Sequence, residues 1–259
     1  MMDNLWVRRF RPAAPDAPRL VALPHAGGSA PFYLPLATAL SPDVEVLSIQ
    51  YPGRQERRRE PVPGSISELA DAILPALPPA DDRPVAIFGH SMGALVAYEL
   101  GLRMEAQPGG GPVHLFVSGR RAPSLRRAGE QVHLLDDAGL IGEMRRMRGT
   151  DERALDDPEM LAVILPAVRG DYRAVETYQC ASGGRLRSPL TVLTGDADPV
   201  TSTADAAAWA QHTTGPCELR TFPGGHFFLV DHAAAVVALI RNTLAAHATS
   251  SVRARAARR

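Results

Sequence analysis

Gly89-His90-Ser91-Met92-Gly93 fits G-x-S-x-G, the pattern in which a sharp turn lifts a serine hydroxyl clear of a sheet for attack on a carbonyl. The apolar run at 85–88 before it reads as a buried strand, and residues 94–100 after it read as a helix. The flanking glycines remove the Cβ atoms that would block so tight a turn, and the helix N-terminus offers free N–H groups to a developing oxyanion. A serine hydroxyl is a poor nucleophile near neutral pH. It needs a base within hydrogen-bond reach and a third group to orient that base. After a strand–elbow–helix unit the chain order of those partners is acid, then histidine. Gly195-Asp196-Ala197-Asp198-Pro199 follows the apolar run 190–193, and Gly224-Gly225-His226 follows the run 218–222. Both are loops at strand ends on the sheet edge that carries Ser91. Asp196 comes directly after its strand and is suited to bonding backbone N–H groups in the turn. Asp198 lies further out toward the histidine loop and is the preferred acid, with His226 as the base.

The other histidines fit the role less well. His90 adjoins Ser91 in a turn where its side chain must diverge. His114 sits inside a strand pattern, and His212, His232 and His247 lie on or near helices. His133 lies near the start of a helical insertion, where a substrate contact competes with plain surface exposure. A tetrahedral intermediate also needs two backbone donors. One is the N–H of Met92, directly after the serine; the second belongs to a loop after an earlier strand. Pro24-His25-Ala26-Gly27-Gly28 is that loop, Ala26 is the expected donor, and His25 is a candidate substrate contact.

The elements that must position these residues alternate along the chain. Strands are expected at 20–23, 44–49, 85–88, 113–117, 190–193 and 218–222. Helices are expected at 32–40, 65–77, 204–212 and 233–246, with a capping box of Ser65 and Glu68 opening the second. Strand–helix units of this length imply an α/β fold with a mostly parallel central sheet flanked by helices. Residues 120–188 break the rhythm. They show no strand pattern, a helix at 134–147 and another opened by Asp157-Pro158-Glu159 that Pro166 should kink. An insertion of this length reads as a helical cap, or lid, over the mouth of the sheet, where open α/β sheets bind ligands. The expected division is therefore a core of residues 1–119 and 189–248, a lid of 120–188, and a flexible basic tail of 249–259. Met144, Met147, Leu161 and Tyr172 are candidate liners of a chamber beneath the lid.

Composition bounds the rest. The 259 residues suit one large domain. The 28 basic residues, all arginine, balance 28 acidic ones, so no global field draws nucleic acid or membrane. Cys180 and Cys217 give neither a disulfide framework nor a metal cluster and read as reduced thiols. There is no secretory-signal pattern and no apolar run of the roughly 20 residues a membrane span needs. A cytoplasmic protein without a metal is the expectation.

Taken together, Pro24–Gly28, Tyr51-Pro52-Gly53-Arg54-Gln55, Gly89–Gly93, Gly195–Asp198 and Gly224-Gly225-His226-Phe227-Phe228 resemble the stand-alone type II thioesterases that accompany modular polyketide and nonribosomal peptide synthases. The resemblance covers nearly the whole chain except the basic tail. It implies the α/β-hydrolase fold, Asp198 as the triad acid, and no cofactor of the enzyme's own. It implies as substrate an acyl thioester on the phosphopantetheine arm of an acyl or peptidyl carrier protein, and as role the editing of stalled or wrongly primed acyl groups. Carrier domains of this kind are acidic, which makes Arg120, Arg121, Arg126 and Arg127, and the run Arg57-Arg58-Arg59, candidate contacts. A general esterase or lipase, a product-releasing thioesterase and a non-catalytic binder are the rival readings. No carrier domain or linker precedes residue 1, which weighs against the product-releasing domain, and the complete Ser, Asp and His set weighs against the binder.

Overall fold

In a computed structural model, residues 5–79, 81–108, 110–126, 129, 131–149, 152–181 and 183–256 are described, with side chains as far as residue 247. Seven strands form one sheet: β1 (Val7–Arg8), β2 (Arg19–Leu23), β3 (Glu45–Ile49), β4 (Val85–His90), β5 (His114–Ser118), β6 (Leu190–Gly195) and β7 (Cys217–Phe222). Their order is β1-β3-β2-β4-β5-β6-β7. Every neighbouring pair is parallel except β1 with β3. The central strands are buried along their length because helices cover both faces, so their sequences read as unbroken apolar runs. The edge strand β7 instead alternates, and its outward Glu218 and Arg220 pair at 2.7 Å.

Two apolar layers enclose the sheet. Helices α2 (Ile66–Ile73) and α3 (Met92–Ala106) bury Ile66, Leu69, Ile73, Leu95 and Leu100 on one face. Helices α1 (Leu34–Leu40) and α9 (Ala233–Ala256) bury Leu40, Val236, Ile240 and Leu244 on the other. The insertion after β5 carries α4 (Asp137–Met147), α5 (Glu152–Leu155) and α6 (Pro158–Glu176), which share a small cluster of Leu140, Met144, Leu155, Leu165 and Val168. Beyond it, α7 (Thr203–Ala207) follows β6, and α8 (Phe228–Asp231) follows β7.

Several local expectations change. Ser65 caps α2 by accepting the Glu68 N–H at 3.2 Å, but the Glu68 carboxylate takes the Gly64 N–H at 2.7 Å, so the capping box is only half formed. A complete box opens α7, from Ser202 and Asp205. The first cap helix begins at Asp137, capped by Asp136, and not at 134. Pro166 lies inside α6 without ending it; its ring is exposed, while the packing of its neighbours Leu165, Ala167 and Val168 carries the helix past it. Helix α9 continues to Ala256, about ten residues past the expected end and through most of the expected tail, because the alanine-rich stretch favours helix. Residues 257–259 lie outside the described residues. The two-residue β1 was missed altogether.

Candidate active site

The elbow is built at the junction of β4 and α3. Ser91 has φ 55° and ψ −114°, a strained conformation for a residue with a side chain. It is tolerated because the surroundings leave no room for a relaxed turn. A Cβ on Gly89 would collide with the Gly93 carbonyl, and a Cβ on Gly93 with the Leu23 carbonyl of β2. The Ser91 N–H is held by the Ser118 carbonyl at 2.8 Å. Met92 begins the helix, so its N–H has no partner within the helix.

The acid and base loops are stitched together. Gly195 ends β6 where a Cβ would strike the Gly224 and Gly225 carbonyls, so the two loops meet only because that side chain is missing. Asp196 accepts the Gly224 N–H at 2.9 Å, and the Ala197 N–H reaches the Gly224 carbonyl at 2.9 Å. Asp196 thus shapes the turn. Asp198 instead faces inward: its Oδ2 meets His226 Nδ1 at 2.8 Å. Its Oδ1 accepts from the Val200 and Thr201 N–H groups at 2.9 and 3.2 Å. With Nδ1–H donated to the carboxylate, the His226 tautomer leaves Nε2 as the basic nitrogen. Both side chains are buried, Asp198 completely.

Ser91 and His226 line one cavity of about 40 Å³ with His25, Ala26, Met144, Met147, Gly149, Val168, Tyr172 and Phe227. Of the candidate cap liners, Met144, Met147 and Tyr172 reach it. Leu161 does not; it packs within the cap's own cluster, about two helical turns before Val168, the first residue of α6 to line the cavity. Burial keeps the Tyr172 hydroxyl protonated, pushing its pKa up.

Behind His226 stands an aromatic wall that sequence reasoning missed. Its ring lies 4.9 Å from that of His90 and 5.2 Å from that of Phe227. His25 packs edge-on against Phe32 at 4.7 Å and Phe227 at 4.8 Å. Burial, then the proximity of His226 and Arg54, lowers the His25 pKa to about 3. Burial also pushes His90 well down, with His226 and His25 adding to the effect. Both rings are therefore neutral at physiological pH and set no positive charge beside His226. His90 does diverge from Ser91, bonding Ser118 Oγ at 3.0 Å. His114 bonds Thr191 at 2.8 Å and His212 bonds Ser124 at 2.9 Å, so both serve packing. His133 is turned to the buried Glu176 carboxylate and is absent from the cavity lining.

A second missed feature is a buried ion pair between core and cap. Arg54, after β3, binds Asp171 of α6 through two parallel bonds of 2.7 and 2.8 Å. Asp171 Oδ2 also accepts the Gly27 N–H at 2.7 Å. Tyr51-Pro52-Gly53-Arg54-Gln55 stood out as a motif, but nothing in sequence linked it to a residue 117 positions away.

The arginine candidates divide. Arg57 is buried, bonds the Gln50 carbonyl at 2.8 Å and lies over the Trp6 ring. Arg121 is buried and donates to the Val200 carbonyl at 3.2 Å. Neither is placed to meet a partner, because each satisfies core carbonyls. Arg58, Arg59 and Arg126 are exposed and Arg120 is half-buried, while Arg127 lies outside the described residues.

The parallel sheet, the strained serine after β4 and the acid and histidine loops after β6 and β7 define an α/β-hydrolase. The thioesterase-domain family model matches residues 18–244, and the chain belongs to that family. It is 54% identical over 231 residues to the probable cadicidin biosynthesis thioesterase of Streptomyces griseus, covering 89% of this chain and 63% of that protein. It is 49% identical over 230 residues to the thioesterase PikA5 of Streptomyces venezuelae, covering 88% of this chain and 82% of PikA5. The type II thioesterase BorB from the borrelidin biosynthetic cluster superposes with a TM-score of 0.87 at 50% identity, over 93% of this chain and 98% of BorB. The motif resemblance to type II thioesterases thus extends along the whole core and cap. Among the described residues no helix is long and apolar enough to cross a membrane.

Proposed function

We propose that the protein is a serine thioesterase that clears acyl groups from the phosphopantetheine arms of carrier proteins in polyketide or peptide assembly. The observation that carries this reading is the 2.8 Å bond by which buried Asp198 holds His226, whose ring lines one cavity with the strained Ser91. His226 takes the Ser91 proton as the hydroxyl attacks the thioester carbonyl. Asp198 holds the imidazole tautomer and stabilises the imidazolium. The Met92 and Ala26 N–H groups receive the oxyanion. The thiol leaves readily because its pKa, about 8.5, is far below that of an alcohol. Water activated by His226 then attacks the acyl-serine and releases the acid. The phosphopantetheine arrives with the partner, so the enzyme needs no cofactor of its own.

An editing role, as against release of a finished product, is the assignment we favour; the cavity at Ser91, about 40 Å³, is narrow and adjoins a wider cleft of about 540 Å³ that shares Met147, Gly149, His226 and Phe227. The likeness to BorB, described as a type II thioesterase, supports the same assignment. The test is a panel of acyl groups from two to twelve carbons on carrier proteins, run beside matched oxygen esters. Faster hydrolysis of short acyl-carrier thioesters is expected. Equal rates on free oxygen esters would make the protein a general esterase, and a preference for the longest chains would favour product release.

A further inference from the structure

The loop after β2 spends two of its backbone donors, those of Gly28 and Gly27, on itself and on the cap. The Gly28 N–H closes a four-residue turn on the His25 carbonyl at 2.9 Å. Gly27, third in that turn, has φ 74°, while Ala26 before it stays at negative φ. This is a type II turn, and it differs from type I by a flip of the peptide between Ala26 and Gly27. The N–H of that same peptide is the one Asp171 Oδ2 accepts at 2.7 Å. Among the described residues no acceptor takes the Ala26 N–H, which borders the cavity beside Ser91.

Asp171 reaches the loop from α6, not from the core. Val168, one turn earlier on the same face, would touch a Cβ on Gly27 at 2.8 Å, so helix and loop are in close contact. The Asp171 carboxylate is 2% exposed, and an isolated charge so deep would neutralise or seek water. Arg54 prevents this with its bidentate pair and is itself tied down by the Gly28 carbonyl at 3.0 Å and the Pro52 carbonyl at 3.2 Å. One guanidinium thus ties the Gly28 end of the loop, its own turn after β3 and the cap helix together.

We propose that Asp171 is a positioning residue for the oxyanion hole. Its carboxylate, oriented by Arg54, locks the Ala26–Gly27 peptide and thereby aims the Ala26 N–H, so that the hole is complete only while α6 is seated on the loop. This rests on the serine-thioesterase reading above. It adds that the cap, besides walling the chamber, contributes to stabilising the transition state.

The test compares Asp171→Ala and Asp171→Asn with the parent chain, using an acyl N-acetylcysteamine thioester and an alkyl trifluoromethyl ketone that forms a tetrahedral adduct on serine. Asp171→Ala should lower kcat about 10- to 100-fold with KM changed less than about threefold, and should weaken the ketone in parallel with kcat. Asp171→Asn keeps an acceptor for the Gly27 N–H and should fall between. A merely structural carboxylate would lower the melting temperature of either variant while leaving kcat and ketone affinity of the folded protein at parent values, and that result would overturn the proposal. If the alanine variant does not fold, the asparagine variant decides on the same two readouts. Fluorophosphonate labelling of Ser91 in the parent separates this from failure of the underlying reading: no labelling sinks the serine mechanism, whereas labelling with parent-like Asp171 variants sinks only the coupling.

Discussion

The sheet and the cap keep their shape by different means. Around the sheet, whole strands and the faces of α2, α3 and α9 are buried, and Ser91, Asp198 and His226 sit on glycine-tight turns at strand ends. Among the described residues, the cap has a cluster of five buried apolar residues and leaves Leu134 65%, Met160 45% and Val163 48% exposed. It is held to the core in part by polar contacts, chiefly Arg54 with Asp171. The difference assigns tasks. Ser91, Asp198 and His226 belong to the tightly packed part, and the cap supplies chamber walls together with one anchored group, Asp171, that reaches the loop of Ala26.

Substitutions on either side test that contrast. The largest effect should come from Asp198→Asn, which leaves the packing in place but removes the anion that orients His226. A fall in kcat of about 10⁴-fold with little change in melting temperature is expected from steady-state kinetics and calorimetry. Gly93→Ala should come next, costing about 3 kcal/mol or more in urea unfolding, because its Cβ meets the Leu23 carbonyl and no flexible side chain can yield. Acid should also weaken the core side. His25 titrates near 6.5 when unfolded but at about 3 when folded, so the unfolded chain binds the extra proton between those values. Its contribution is complete above pH 6.5 and is lost as pH falls toward 3. Melting temperatures of His25→Phe should depend less on pH across that window than those of the parent, though His90 keeps part of the slope. Met144→Ala, in the cap, should cost about 2 kcal/mol while shifting preference toward longer acyl chains. An unchanged chain-length profile would mean that the core, not the cap, sets the chamber. Leu134→Ser should change stability by less than about 0.5 kcal/mol, since that side chain is largely in water already.

Much of the core was legible because its signals are local. An apolar run followed by G-x-S-x-G contains both the strand and the turn that serves it. The Asp196 and Asp198 alternatives could be ranked by distance from their strand, and each occupies the environment that its place implied. Contacts between distant segments were not legible. In sequence Asp171 is one polar position among the apolar ones of α6, and its partner Arg54 one residue of the Tyr51–Gln55 motif. The ring wall of His25, His90 and Phe227 forms only when loops from three strand ends converge. Strand β1 has two residues and no period to detect. In the cap, spacing along α6 showed which residues share a face but not where on that face the core begins, so Tyr172 and Leu161 could not be told apart.

The central claim is that Ser91 carries the acyl group between carrier and water. It is tested most directly by mixing the protein with an acyl-carrier protein, quenching within milliseconds and weighing the peptide that contains Ser91. The account predicts a peptide heavier by the acyl mass in the parent chain, and neither adduct nor turnover in Ser91→Ala. Release of the free acid by Ser91→Ala at the parent rate would contradict it.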